Sequence, residues 1–176
     1  MTHEMKVNAV REATHCVCET MLGVKLTDRE PAREEESPIH SEGVVSLIGL
    51  AGDWAGTGAF RCSSEMAKKL SGHMLMQEFA SVDQDVLDAI GELTNMILGN
   101  VKTTFEEILG PMGLSIPTVI YGRNFTTRSV GRSEWSVIPF ELDGEVFEIQ
   151  ISLAPRQDKY VPGTKDRTSA IVSMEV

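Results

Sequence analysis

The stretch from Ser81 to Pro111 constrains the fold more than any other part of the chain. Leu87, Ile90, Thr94, Ile97, Val101, Phe105 and Ile108 recur at steps of three and four residues, the period of a helix that buries one face. Ser81 opens this run, Asp83 and Asp85 lie near its positive end, and Gly110-Pro111 forms a strong stop. The pattern predicts one long helix over residues 82–109.

Within it, GELTNMILGNVK (residues 91–102) carries a second pattern. Glu92 and Asn95 are three residues apart, about 300° around a helix, so they stand side by side one turn apart and off the apolar stripe. Gly91 and Gly99 bracket them, each costing about 1 kcal/mol against alanine in a helix interior. The expectation is an edge left bare by both glycines so that another backbone or a partner protein can approach it closely. No nucleophile and no histidine accompanies the pair, which argues against covalent catalysis. A carboxamide is no general base at neutral pH, but it can donate to and accept from one water at once, fixing that water for in-line attack on phosphorus. Phosphoryl transfer asks little more of side chains than positioning and charge neutralisation. A carboxylate one turn away can grip a lysine on the molecule that carries the phosphate.

The rest of the chain supplies the frame. Residues 3–22 read as a first helix, with Val7, Val10, Ala13, Val17, Met21 and Leu22 on one face and Gly23 as the stop. KLTDREPAREEESPIH, including the acidic segment 28–37, reads as an exposed loop. EGVVSLIGLAG and WAGTGAFRC read as a hairpin turning at Gly52-Asp53, and Ser63 or Ser64 caps a second helix, SEMAKKLSGHML. IPTVIYG reads as a short extended segment. WSVIPFEL and EVFEIQISLA alternate around Asp143-Gly144, the clearest hairpin signal present. These elements predict a two-layer α+β fold, with long helices on one face of a mainly antiparallel sheet. One domain over residues 1–154 is expected, followed by a polar tail, 155–176, that fits either a mobile end or an added edge strand.

Composition narrows the function classes. A net charge of −10 disfavours nucleic acid and anionic membranes as partners. No apolar run approaches the roughly 18 residues of a membrane span, and the polar start is unlike a signal peptide, so a cytoplasmic protein is expected. The three cysteines, Cys16, Cys18 and Cys62, lack a framework spacing and read as reduced thiols. His15-Cys16-Val17-Cys18 invites a metal reading, but residues 16 and 18 are about 200° apart on a helix and cannot face one ion. GLAGDWAGTG lacks the lysine and helix start of a phosphate loop; a turn and close strand packing explain its glycines.

DAIGELTNMILGN resembles the signature helix of the CheC/CheX/FliY family of chemotaxis phosphatases, in which an acid, two spacers and an asparagine precede a Gly-Asn. GVVSLIGLAGDWAGTGAFRCSSEMAKKLSGHML resembles the segment ahead of that helix and LSIPTVIYGRN the one after it. The likeness spans roughly residues 5–154 and implies a CheC-like fold. It further implies a phosphatase acting on the phospho-aspartate of a CheY-like receiver domain. Asn95 would then position the attacking water and Glu92 would pair with a receiver lysine, with no cofactor of the chain's own and Mg²⁺ held by the receiver. The first helix offers only Glu12 with His15 and Glu19 with Leu22, neither an acid-to-asparagine pair. One active edge is the CheX-like pattern, which implies a homodimer. The alternative within the same fold is a non-catalytic adaptor that docks receivers or other signalling proteins.

Overall fold

The computed structural model describes residues 1–35, 39–128, 134–156 and 171–174. Three helices, α1 (His3–Val17), α2 (Ser64–Leu75) and α3 (Gln84–Leu109), lie on one face of an antiparallel sheet. Its strands are β1 (Thr27–Asp28), β2 (Ala32–Glu35), β3 (Ile39–Gly52), β4 (Trp54–Cys62), β5 (Met112–Leu114), β6 (Thr118–Arg128), β7 (Glu134–Leu142), β8 (Glu145–Pro155) and β9 (Ile171–Met174). Their order across the sheet is β1-β7-β8-β4-β3-β6-β9, with β2 also pairing β7 and β5 also pairing β3. The α+β, two-layer architecture follows the sequence expectation. No helix of the described residues is long and apolar enough to cross a membrane.

Alternation builds the core. Val44, Ile48 and Leu50 of β3, Phe60 of β4, Ile138 and Phe140 of β7, and Phe147, Ile149 and Ile151 of β8 all turn to the helices and are buried. Phe60, Phe147 and Phe140 stack in a row across three strands, with ring centroids 5.1 and 5.4 Å apart. The hairpin from β7 to β8 turns at Asp143 and Gly144, whose φ values of 51° and 82° are those of the tight two-residue turn read from the sequence.

Several boundaries differ from the expectation. Asp83, not Ser81, caps α3: its carboxylate accepts from the Val86 amide at 3.1 Å, so the helix starts at Gln84. The first helix is α-helical only to Val17; Cys18–Leu22 winds as a π-turn before Gly23 ends it at φ 67°. The acidic segment is no simple loop. Its residues 27–28 and 32–35 pair with β7 on either side of Pro31, and Arg29 makes an ion pair with Glu141. Charge and proline suit a sheet edge as well as they suit a loop, which is why the composition misleads here. The short extended segment IPTVIYG leads into a full strand, β6, from Thr118 onward. From the tail, Ile171–Met174 pairs with β6 as an edge strand. Residues 36–38 of the acidic segment and 157–170 and 175–176 of the tail lie outside the described residues.

Two contacts set the height of α3 above the sheet. A Cβ on Gly58 of β4 would come within 2.5 Å of Leu98 Cδ1, so the glycine lets Leu98 drop between strands. At the helix's far end Lys102 Nζ donates to Glu106 Oε2 at 2.7 Å, and the Met112 amide donates to Glu106 Oε1 at 2.8 Å, strapping α3 to β5. The hydrogen bond from Lys102, and then that from Met112, hold the Glu106 carboxyl below its ordinary pKa.

Gly58→Ala should cost about 2 kcal/mol through overpacking against Leu98, measured by urea unfolding. The Glu106 strap stabilises the fold above the ordinary glutamate range and is lost as pH falls through its depressed value. The stability difference between parent and Glu106→Gln should therefore be present at neutral pH and close on acidification.

Candidate active site

The exposed edge of α3 runs through Asp88, Glu92, Asn95, Gly99 and Thr103, with Leu93, Thr94, Ile97 and Leu98 buried behind it. The buried sector is wider than one stripe because α3 packs on the sheet, on α1 and on α2. Ile108 leaves it and is exposed. Thr94 is fully buried and satisfies itself by donating to the Ile90 carbonyl at 2.6 Å. Glu92 is exposed and Asn95 half-buried, side by side as the spacing predicts. Among the described residues neither side chain has a hydrogen-bond or ion-pair partner. A half-buried carboxamide with its two donors and its acceptor unclaimed by the chain can bond to water or to a group from outside.

The two glycines divide. Gly91 is buried, and a Cβ there would meet Val119 Cγ2 at 3.3 Å and Pro117 Cβ at 3.9 Å. It serves the packing of α3 on β6, a correction to the expectation that it clears the edge for a partner. Gly99 fits that expectation: nothing lies within 4 Å of where its Cβ would be. Met96, beside Asn95, packs against the core.

Other candidate groups are accounted for by structure. Cys16 is exposed while Cys18 is buried, so the two point apart. Burial pushes the Cys18 thiol up to about 12 and raises that of Cys62 as well, with Glu145 adding to the latter. Both stay protonated and inert as nucleophiles. A Cβ on Gly56 would meet the Ser152 carbonyl oxygen at 1.9 Å, so the glycine-rich hairpin serves close strand packing. An open groove of about 620 Å³ runs along α2, lined by Lys68, Lys69, His73 and Phe79, but it shares no residue with the α3 edge. The Glu92–Asn95 pair stands on an outward surface, which suits a macromolecular partner better than a small molecule.

The Glu12–His15 spacing read from the sequence proves to be part of a longer echo that only the packing shows. Glu12-Ala13-Thr14-His15 on α1 echoes Glu92-Leu93-Thr94-Asn95 on α3. Thr14 is fully buried like Thr94 and likewise donates to the carbonyl four residues back, Val10, at 2.6 Å. His15 occupies the position of Asn95, but it is engaged: Nε2 lies 2.7 Å from Asp28 Oδ1, and the ring meets Phe140 edge-on. Only the α3 copy is free.

Comparison with known proteins gives the family and the fold. The sequence profile of the family described as "Chemotaxis phosphatase CheX" matches residues 44–141, which include all of α3. The chain is 31% identical over 127 residues, 71% of its length and 81% of the relative's, to a Thermotoga maritima protein named CheY-P phosphatase CheX. Among solved structures it is similar to the chemotaxis protein CheX of Desulfovibrio desulfuricans, with a TM-score of 0.76 and 26% identity, covering 85% of this chain and 99% of that one. It is also similar to the CheX of Borrelia burgdorferi solved as a CheX-CheY-BeF3-Mg²⁺ complex, with a TM-score of 0.69 and 26% identity, covering 84% and 97%.

Gly99→Ala should stabilise the free protein by about 1 kcal/mol, since the added methyl meets no neighbour and removes a helical glycine. Urea unfolding checks this.

Proposed function

The chain belongs to the CheX family of chemotaxis phosphatases, and on that footing we propose that it is a hydrolase acting on the phospho-aspartate of a CheY-like receiver domain. The observation that carries the assignment to particular residues is the unpartnered pair on α3: Asn95 half-buried and Glu92 exposed, one turn apart.

In this reading α3 is laid against the receiver so that Asn95 enters beside the phosphoryl group. Its Oδ1 accepts from a water and its Nδ2 donates to the same water, turning a lone pair toward phosphorus. Water oxygen bonds to phosphorus as the acyl phosphate P–O bond breaks. The aspartate carboxylate leaves with the electron pair of that bond, the water oxygen stays in the inorganic phosphate, and the proton it sheds passes to a phosphate oxygen or to solvent. The loose transition state of phosphoryl transfer needs orientation and charge neutralisation more than a strong base, which is why an amide suffices. Glu92 pairs with a receiver lysine and fixes the register of the two proteins. The divalent cation that neutralises the phosphoryl oxygens is Mg²⁺ held by the receiver, and this chain contributes no cofactor. The protein acts as a cytoplasmic homodimer, with the sheet turned away from the receiver.

Asn95→Ala should lower the rate of phospho-receiver decay by about 100-fold, the order expected for loss of one preorganised polar group. Binding to a beryllium fluoride-activated receiver should change far less. Glu92→Ala should weaken both binding and turnover. Decay of a phosphorylated receiver in Mg²⁺, followed with and without each protein, is the assay. An Asn95→Ala variant as fast as the parent would falsify the mechanism, and a parent that binds without accelerating decay would favour an adaptor.

A further inference from the structure

The chain reverses at Gly110-Pro111, so β5 and β6 run antiparallel to α3 and alongside it. Between them the register along β3 slips. Leu114 pairs with Leu50 and Thr118 with Leu47, which sets residues 115–117 opposite only Ile48 and Gly49. This bulge is clamped at both ends. The Ser115 amide donates to the Gly49 carbonyl at 2.9 Å, and the Gly49 amide donates to Ser115 Oγ at 2.9 Å. The same hydroxyl donates to the Ile116 carbonyl at 2.9 Å. On the other side Pro117, its φ fixed by the ring, lies against Gly91 of α3. Ile116, held between two anchored neighbours, is 86% exposed.

Its place along the helix follows from the same contacts. Gly91 sits at the level of Pro117 and Val119. Asn95 is one turn closer to the chain reversal, about 6 Å along the axis, which corresponds to about two strand residues. It is also only about 40° around the helix from Gly91. The free amide thus comes level with Ile116, on the side of α3 that faces the bulge.

A single exposed apolar side chain is ordinary on a protein surface. This one differs in its mounting and its neighbour. An isoleucine has little rotamer freedom to lose, and a clamped backbone has little ordering left to undergo on association. We infer that Ile116 is a docking anchor for the receiver domain, a rigid apolar knob that enters a hollow beside the phosphorylated site and holds the two proteins together. The occupant is the receiver because the knob stands level with Asn95, on the side of α3 toward which that amide lies. The inference rests on the phosphatase reading above. Ile116 is here a positioning residue and touches no reacting atom.

The test uses the full chain with Ile116→Ala, Ile116→Asp and the conservative Ile116→Val. Initial rates on a phosphorylated receiver in Mg²⁺ give KM and kcat separately, and titration of a beryllium fluoride-activated receiver gives affinity. The alanine and aspartate variants should raise KM and weaken binding by about tenfold or more, as truncation of an interface anchor does, with kcat within about twofold. The valine variant should stay near the parent. Melting temperature and sedimentation mass should not move. An unchanged KM in Ile116→Asp overturns the inference, as does a loss confined to kcat. A fall in sedimentation mass alongside the KM change assigns the knob to a contact between copies of the chain instead. A parent that neither binds nor dephosphorylates the receiver defeats the underlying reading and this one with it, whereas an active parent with indifferent Ile116 variants defeats this one alone.

Discussion

The seating of α3 on the sheet is the constraint from which the functional edge takes its form. Leu98 sinks into the space left by Gly58, and α3 lies so close to β6 that a Cβ on Gly91 would press on Val119. Between these two contacts the rotation of α3 is decided: Leu93, Thr94 and Ile97 go inward, and the edge through Glu92 and Asn95 faces out. The glycines weaken the helix intrinsically, and the packing they permit offsets that loss. The proposed aiming of one water would need this kind of fixed platform, since misplacement by about 1 Å can cost two orders of magnitude in rate. The Glu106 strap adds to it by tying the last turns of the helix to the strand that follows.

The site itself is half of a machine. It offers an amide and a carboxylate on an outward surface, and in the proposed function the electrophile and its cation come with the partner. Electrostatics bear on how the partner is met. A chain of net charge −10 repels a phosphorylated carboxylate at long range, and the screening of physiological salt confines that repulsion to about 8 Å. Close attraction then has to come from particular contacts, such as an acid meeting a lysine.

How much of this could be read from residue order alone depends on where the information lies. The long helix is legible because its stripe and stops are local; its start shifts from Ser81 to Asp83 because both residues can cap, and only the Val86 amide distinguishes them. The Glu92–Asn95 edge is legible for the same reason. Gly91 is not, since spacing puts it on the edge while Val119, a residue 28 positions later, claims its surface. The β1 and β2 strands are hidden because sheet edges are guarded by the same charges and prolines that make loops. Ile116 carries no periodic signal, being in a bulge, and its exposure follows from hydrogen bonds to Gly49 across the sheet.

The echo between α1 and α3 also bears on how many receivers one copy would serve under the proposed function. The two helices share a buried threonine with the same backward hydrogen bond and an acid two residues before it, yet the side chain that follows differs in its freedom. His15 is committed to Asp28 and to the ring of Phe140. Under the proposed function a protomer built this way has a valence of one, so saturation of a preparation should scale with the number of chains, however they are assembled.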